Sequence, residues 1–398
     1  MHGTDWRIAV EKIKNRFGLS EWSGAFGDLG TLLPLAFALV VFNGFGVSRL
    51  FLLWGAVYIL SGWYFKVPLS VQPLKAMSVI AIGLGLSAEM LAGTSFFFGI
   101  LLIILSATGA IRWLQKWFSP ALVKGIQLGI GLILIQKAVQ LVYEKGFLLN
   151  GNGPSLLINF ALLAGILLLI GIMQFRKKIS VSLILIAGSI ILVSIFSNIE
   201  IPEAKSGLID FKLPLWSILP DSLILLIIPQ LPLTLGNAMF AASDTCHTFW
   251  PERSSKITPS RLGLSIGISD SIIGMLGGFP MCHGAGGIAA HRQFGAKTGG
   301  TTIIIGSILV ILALISPLSS LLFLIPVPLL AAMLLFDSWR MILLIKKLQI
   351  NIEIIVALLV GLISFTTRNI SIALVIGLLI ERGYNYFQQQ KTKPETSL

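Results

Sequence analysis

The chain is a succession of apolar runs, each about as long as a helix needs to cross a bilayer, parted by short polar and basic segments. The runs and their breaks place spans at 25–43, 48–65, 68–87, 94–111, 121–142, 155–175 and 179–197. After the polar, proline-bearing stretch Asn198 to Pro214 they resume at 219–243, 260–277, 280–293, 299–316, 318–336, 350–366 and 369–387. That is fourteen spans, seven on each side of the polar stretch. Hydrophobic residues make up 55% of the 398 residues and charged residues 12%, where a soluble domain carries about a quarter charged. The fold class that follows is an all-α polytopic membrane protein.

The net charge of +12 does not mark a nucleic-acid surface, because the basic residues sit in short loops between apolar runs. With the N-terminus inside, 22 of the 29 basic residues fall on the inner side. Arg49, Lys145, Lys205, Lys212 and Arg368 fall outside, and Lys75 and Lys137 remain within the spans. This asymmetry predicts an integral protein of the plasma or inner membrane with both termini cytoplasmic and lipid as its surroundings. Segment 1–24 reads as an amphipathic helix lying at the cytoplasmic interface, without the pattern of a cleaved leader. Residues 388–398 read as a short tail with no regulatory domain. Two cysteines, Cys246 and Cys282, give no disulfide framework.

Seven spans per half force the halves into opposite orientations, which predicts an inverted repeat of 25–197 and 219–387 joined by a linker at 198–218. Matching marks support it. Asp28 in FGDLGT and Gln230 in PQLPLT lie about 200 residues apart, as do Pro68 and Pro280. The segments VPLSVQPLKA (67–76) and GGFPMCHGAGG (277–287) each begin extended around a proline and open a helix. Such half-helices, in spans three and ten, would point two positive N-terminal ends at one anion.

Lys75, placed about two turns into the first half-helix, is either a counter-charge for an anion or the structural partner of Asp28 or Asp244. Gln72 can donate amide N–H groups to an oxyanion. Asp28 can bind a coupling proton, pair with Lys75 or cap its span. Gln230 lies between Pro229 and Pro232, which loosen its helix and favour a cavity position. The run His283, Gly284, Ala285, Gly286, Gly287 reads as a backbone cradle for an oxyanion or a close-packing surface, and His283 can also carry a proton. The Cys246-His247 and Cys282-His283 dipeptides fall at different depths without carboxylate company, so neither a metal nor another cofactor is expected. His291, Arg292 and Lys297 read as cytoplasmic loop charge. No hydrolytic, redox or nucleotide-binding motif points to an enzyme.

FGDLGTLLPL (26–35), VPLSVQPLKA (67–76), PQLPLTLGNAMFAASD (229–244) and GGFPMCHGAGGIAAHRQFGAKTGG (277–300) resemble signature regions of the molybdate-transporter branch of the sulfate permease superfamily. The resemblance implies a seven-plus-seven inverted repeat with a core domain of spans 1–4 and 8–11 and a gate domain of spans 5–7 and 12–14. It also implies a substrate held between the half-helices of spans three and ten, and a homodimer. Carried onto matching positions, it points to Asp28, Thr31, Gln72, Lys75, Gln230 and His283 to Gly287. The expectation is a secondary-active importer of molybdate, coupled to a cation such as the proton and working by an elevator-like movement, with Asp28 or His283 taking the proton. Sulfate shares the charge and shape of molybdate and is the nearest alternative. A nucleobase permease is disfavoured by Gln230 and the glycine run standing where carboxylates would be needed, and a passive anion channel is the rival from another class.

Overall fold

The computed structural model describes residues 14–148, 154–173, 207–315, 324–348 and 351–391, with single positions between 185 and 193. The seventh expected span, 179–197, therefore lies outside the described residues for the most part. The first half contains α1 (Leu19–Ala25), α2 (Leu29–Asn43), α3 (Val47–Phe65), β1 (Gln72–Pro73) and α4 (Lys75–Leu84). It continues with α5 (Ala88–Thr108), the short α6 (Ile111–Gln115), α7 (Pro120–Lys145) and α8 (Leu156–Met173). The second half contains α9 (Trp216–Phe249), α10 (Pro259–Met275), β2 (Met281–Cys282) and α11 (Ala285–Gln293). It ends with α12 (Gly300–Leu314), α13 (Val327–Ile342), α14 (Asn351–Thr367) and α15 (Ile370–Lys391). Among the described residues five helices are long and apolar enough to cross a membrane, namely α5, α7, α8, α9 and α13 with its short extension to Lys347.

Local chemistry sets the ends. Ser87, Ser119 and Thr258 cap α5, α7 and α10 by accepting from the N–H groups of Met90, Leu122 and Arg261. Pro120 and Pro259 open two of these helices, where a missing N–H costs nothing. Gly85 and Gly109 close α4 and α5 in the left-handed region. In α9 the prolines Pro229 and Pro232 remove two donors from the ladder, and the helix answers with widened π-type turns at Ser222–Ile227 and Thr234–Ala241.

The helices pack as two groups. In the first, α3 lies along α12 and α5 along α10; in the second, α7 lies along α13 and α14, with α8 on α13 and α15 on α14. The groups meet where α4 touches α7, α2 touches α13 and α9 touches α15. Glycines separate these interfaces in kind. A Cβ added at Gly62 would fall 2.4 Å from Gly299 O, at Gly99 2.5 Å from Ser271 N, and at Gly129 2.4 Å from Ser364 Cβ. Backbones within each group are thus in direct contact, as membrane helices achieve with small residues. Between the groups the same test gives 3.6 Å for Gly83 against Ile133 and 3.9 Å for Gly236 against Val123, ordinary side-chain contact. Gly99→Val is expected to lower stability by about 3 kcal/mol, because backbone rather than a flexible tip must move. Gly236→Ala should leave the thermal midpoint of the purified protein unchanged; a thermal-shift comparison of the two variants checks this.

Three expectations are corrected here. Residues 14–25 do not lie free along an interface. Asn15 donates to Gly62 O at 3.1 Å, the Arg16 N–H to Thr298 Oγ1 at 3.0 Å, and Glu21 is buried. The Glu21 carboxylate accepts from the N–H groups of Lys297 and Thr298 and from the Thr301 hydroxyl, a carboxylate docked where α12 begins. The FGAKTGG stretch is therefore a docking loop, and His291, read as loop charge, is buried with Nδ1 donating to Gly24 O at 2.8 Å. The twelfth span, expected at 318–336, is described as a helix from Val327, behind Pro326, to Ile342, so Asp337 stands inside it rather than beyond it.

Candidate functional site

The residues on both sides of the two proline breaks come together. β1 pairs antiparallel with β2, Gln72 opposite Cys282 and Pro73 opposite Met281, and the Leu74 N–H donates to Pro280 O at 3.2 Å. Antiparallel pairing sends α4 and α11 away in opposite directions, so their N-termini face each other across the pair. Each N-terminus carries about half a positive charge. In α11 the N–H groups of Ala285, Gly286 and Gly287 lie in the first turn and have no partner within the helix.

Surrounding helices hold the extended pieces rigidly. Trp54 of α3 donates its indole N–H to Phe279 O at 2.9 Å, and Phe279 meets Phe45 edge to face. Asp270 of α10 accepts the Met281 N–H at 2.8 Å and Thr302 of α12 donates to Leu69 O at 3.3 Å. Asp270 is fully buried, and its second carboxylate oxygen has no partner among the described residues. Asp270→Ala would strand the Met281 N–H, an expected loss of about 2 kcal/mol. Asp270→Asn keeps an acceptor and should retain most of that stability, which thermal unfolding of the two variants would separate.

The predicted residues divide into those facing the junction and those bracing it. Lys75 is the first residue of α4, not two turns inside it, because Pro73 and the pairing with β2 keep the chain extended through Leu74. Its ammonium lies 4.0 Å from the carboxylate of Asp337 on α13, not beside Asp244, and its side chain is 30% exposed. Gln72 is buried with its carboxamide against Gly284, where an added Cβ would meet Gln72 Oε1 at 2.8 Å. Beside Gly286 an added Cβ would meet nothing within 4 Å. Ala285 is half-buried against the cluster of Phe65, Val67 and Leu69.

Gln230 and His283 are engaged by the protein itself. Gln230 Oε1 accepts the Met77 N–H at 3.1 Å and its amide donates to Thr234 at 3.0 Å, so it caps the third N–H of α4. His283 is buried, with Nδ1 3.1 Å from Ser70 O and Nε2 3.1 Å from Ser265 Oγ. A carbonyl only accepts, so Nδ1 carries a proton and the ring braces one extended piece against the other. Asp28 and Thr31 lie at the corner where a short 3₁₀ turn, Phe26–Asp28, leads into α2; their side chains lie outside the described residues. Sequence reasoning missed Asp270, Asp337 and Trp54. A carboxylate inside the apolar run 260–277 was the available signal for Asp270.

The architecture and its paired half-helices define an integral membrane protein of the SLC26-type transporter fold. The transmembrane domain of a cyanobacterial bicarbonate transporter, BicA, aligns with TM-score 0.65 and 18% identity over 89% of this chain and 100% of that one. Murine Slc26a9 in its inward-facing state aligns with TM-score 0.68 and 13% identity over 98% and 70%. The profile of the family described as "Molybdate transporter of MFS superfamily" matches residues 20–134 and 222–341, more than half of the chain. The chain belongs to this molybdate transporter family, whose members are transporters and not enzymes. It is 25% identical to Molybdate transporter 2 of Arabidopsis thaliana over 94% of this chain and 89% of that one. It is likewise 25% identical to Molybdate transporter 1 of the same plant over 92% and 88%. The family's descriptive name refers to the MFS superfamily, whose folds are built from six-span halves; the likeness to these solved structures and the paired half-helices put this chain's fold with the SLC26 type.

Proposed function

We propose that the protein is a secondary-active importer of molybdate, coupled to protons, that carries the ion between the two half-helices. The observation that supports this above all is the β1–β2 pairing, which sets two helix N-termini against one another beside Lys75. Two half charges from the helices and one from Lys75 amount to about two positive charges, the complement of a tetrahedral dianion. The backbone N–H groups of Ala285 to Gly287 replace hydration, with Gln72, Gly284 and the Asp28–Thr31 corner completing the wall. His283 and Gln230 hold the half-helices in place, since their polar atoms already have protein partners. That leaves Asp28 as the group to take the coupling proton, and coupling is needed because a negative-inside potential opposes anion entry.

The seven-plus-seven reading draws support from packing. Exchanging the halves turns the contact of spans two and eleven (α3 on α12) into that of spans nine and four (α10 on α5), and among the described residues these are the two most extensive helix contacts. Sidedness draws support from contacts between loops assigned to one side. Arg49 and Lys212, both assigned outside, meet at Asp210 at 3.7 and 3.4 Å. Arg253 reaches Lys14 O and Arg382 lies over the Trp117 ring, all on the side assigned to the cytoplasm of the cell membrane. An elevator movement of core (α2–α5, α9–α12) against gate (α7, α8, α13–α15) fits the contrast between backbone-tight interfaces within each group and the looser seam between them.

Uptake of molybdate into proteoliposomes, with excess sulfate present and an imposed pH gradient, tests the proposal. Uptake that resists sulfate and rises with an inward proton gradient is the expected result. Uptake abolished by equimolar sulfate would replace molybdate with oxyanions in general, and uptake indifferent to the gradient would remove proton coupling.

A further inference from the structure

Across the seam between the two groups the described residues make one ion pair. Lys75 Nζ, at the first residue of α4, lies 4.0 Å from Asp337 Oδ2 on α13. The Asp337 side chain is only 16% exposed and that of Lys75 30%. Both sit in apolar helices, where a charge needs a partner or a polar cavity. At 4.0 Å the pair is looser than a charge-assisted hydrogen bond. A carboxylate in this place offers Lys75 what an incoming oxyanion offers it, two acceptor oxygens and a negative charge.

We propose that Asp337 is a tethered competitor of the oxyanion. It occupies Lys75 in the empty protein and yields it to the substrate, and so sets the charge that the site accepts. The inference rests on the reading of the half-helix junction as the oxyanion site. With Asp337 on Lys75, the two helix ends leave about one net positive charge, too little for a dianion. A dianion must therefore displace the carboxylate. Asp337 repels a dianion about twice as strongly in free energy as a monoanion at the same place. Removing its charge should then raise monoanion affinity by some factor and dianion affinity by roughly the square of that factor. A carboxylate that merely braced Lys75 would act in the opposite sense, since its loss would free the side chain and weaken binding of both ions.

The test is equilibrium binding to the purified full-length protein in nanodiscs, using molybdate and perrhenate, a tetrahedral oxyanion of single charge. Wild type, Asp337→Asn and Asp337→Ala are compared, each after thermal-shift confirmation that it is folded; Asp337→Asn keeps the side chain's shape. The expected result is molybdate binding tightened about tenfold and perrhenate about threefold in both variants. Unchanged or weaker molybdate binding would overturn the proposal, and so would an equal gain for the two ions. If wild type binds neither ion, the site reading falls and takes the proposal with it. If wild type binds and the variants gain nothing, the proposal alone falls.

Discussion

Gly286→Val is expected to abolish molybdate uptake while leaving the protein inserted and as stable as the wild type. The added side chain meets no protein atom within 4 Å of its Cβ. The helix tolerates it as well, since glycine and valine differ in helical preference by a few tenths of a kcal/mol. What it does fill is the space over the first turn of α11, where the unpartnered N–H groups of Ala285 to Gly287 would approach an oxyanion. Losing access to two or three such donors, each worth about 1.5–3 kcal/mol toward a charged acceptor, removes binding altogether at micromolar substrate. Radiolabelled uptake beside a thermal-shift measurement checks both halves of the statement. Normal uptake would mean that the substrate lies elsewhere.

Lys75→Gln is the second large effect. It removes one of about two positive charges at the junction while keeping a polar side chain of similar length. A charge-assisted contact of this kind is worth about 1.5–3 kcal/mol, so apparent affinity should fall about 10- to 100-fold. The maximal rate is affected separately, because the same substitution dissolves the pair with Asp337 that bridges the seam. Titrating uptake against molybdate concentration separates the two. Full affinity in this variant would remove Lys75 from the binding site and leave it a purely structural partner.

These expectations were only partly readable in the chain. The breaks at Pro68 and Pro280 were visible, because a proline-led extended piece between apolar runs has few uses in a membrane. Their pairing residue by residue was not, since two-residue strands carry no periodicity. The placement of Lys75 went wrong for a related reason. Apolar patterning runs straight through 68–87, yet Pro73 and the partner strand hold the chain extended to Leu74, which moves Lys75 from mid-helix to the first residue of α4. Its partner was hidden because Asp337 lies 262 positions away, in a helix expected to end one residue sooner. His283 and Gln230 were read as substrate contacts, and a sequence does not say which way an amide or a ring points. Here both point into neighbouring backbone, at Ser70 and Met77. Trp54 looked like any other apolar residue of a span until its indole N–H was seen on Phe279 O.

The strand pair has one more consequence. Because β1 and β2 are bonded to each other, the two half-helices belong to a single rigid piece, and His283 and Trp54 lock that piece from behind. Under the proposed elevator movement the backbone part of the ion's cage travels whole, with the same N–H donors at the same distances on either face of the membrane. Those backbone donors then contribute equally from the two compartments, and what differs between the compartments is the distance of Lys75 from Asp337, which stays behind on α13. A difference between the half-saturation values for influx and efflux, beyond what the gradients and the rates of travel produce, then reports Asp337 and not a change in the backbone cage. Under the proposed coupling accumulation comes from the gradients, and a preparation deprived of them is expected to equilibrate molybdate to equal concentrations inside and out.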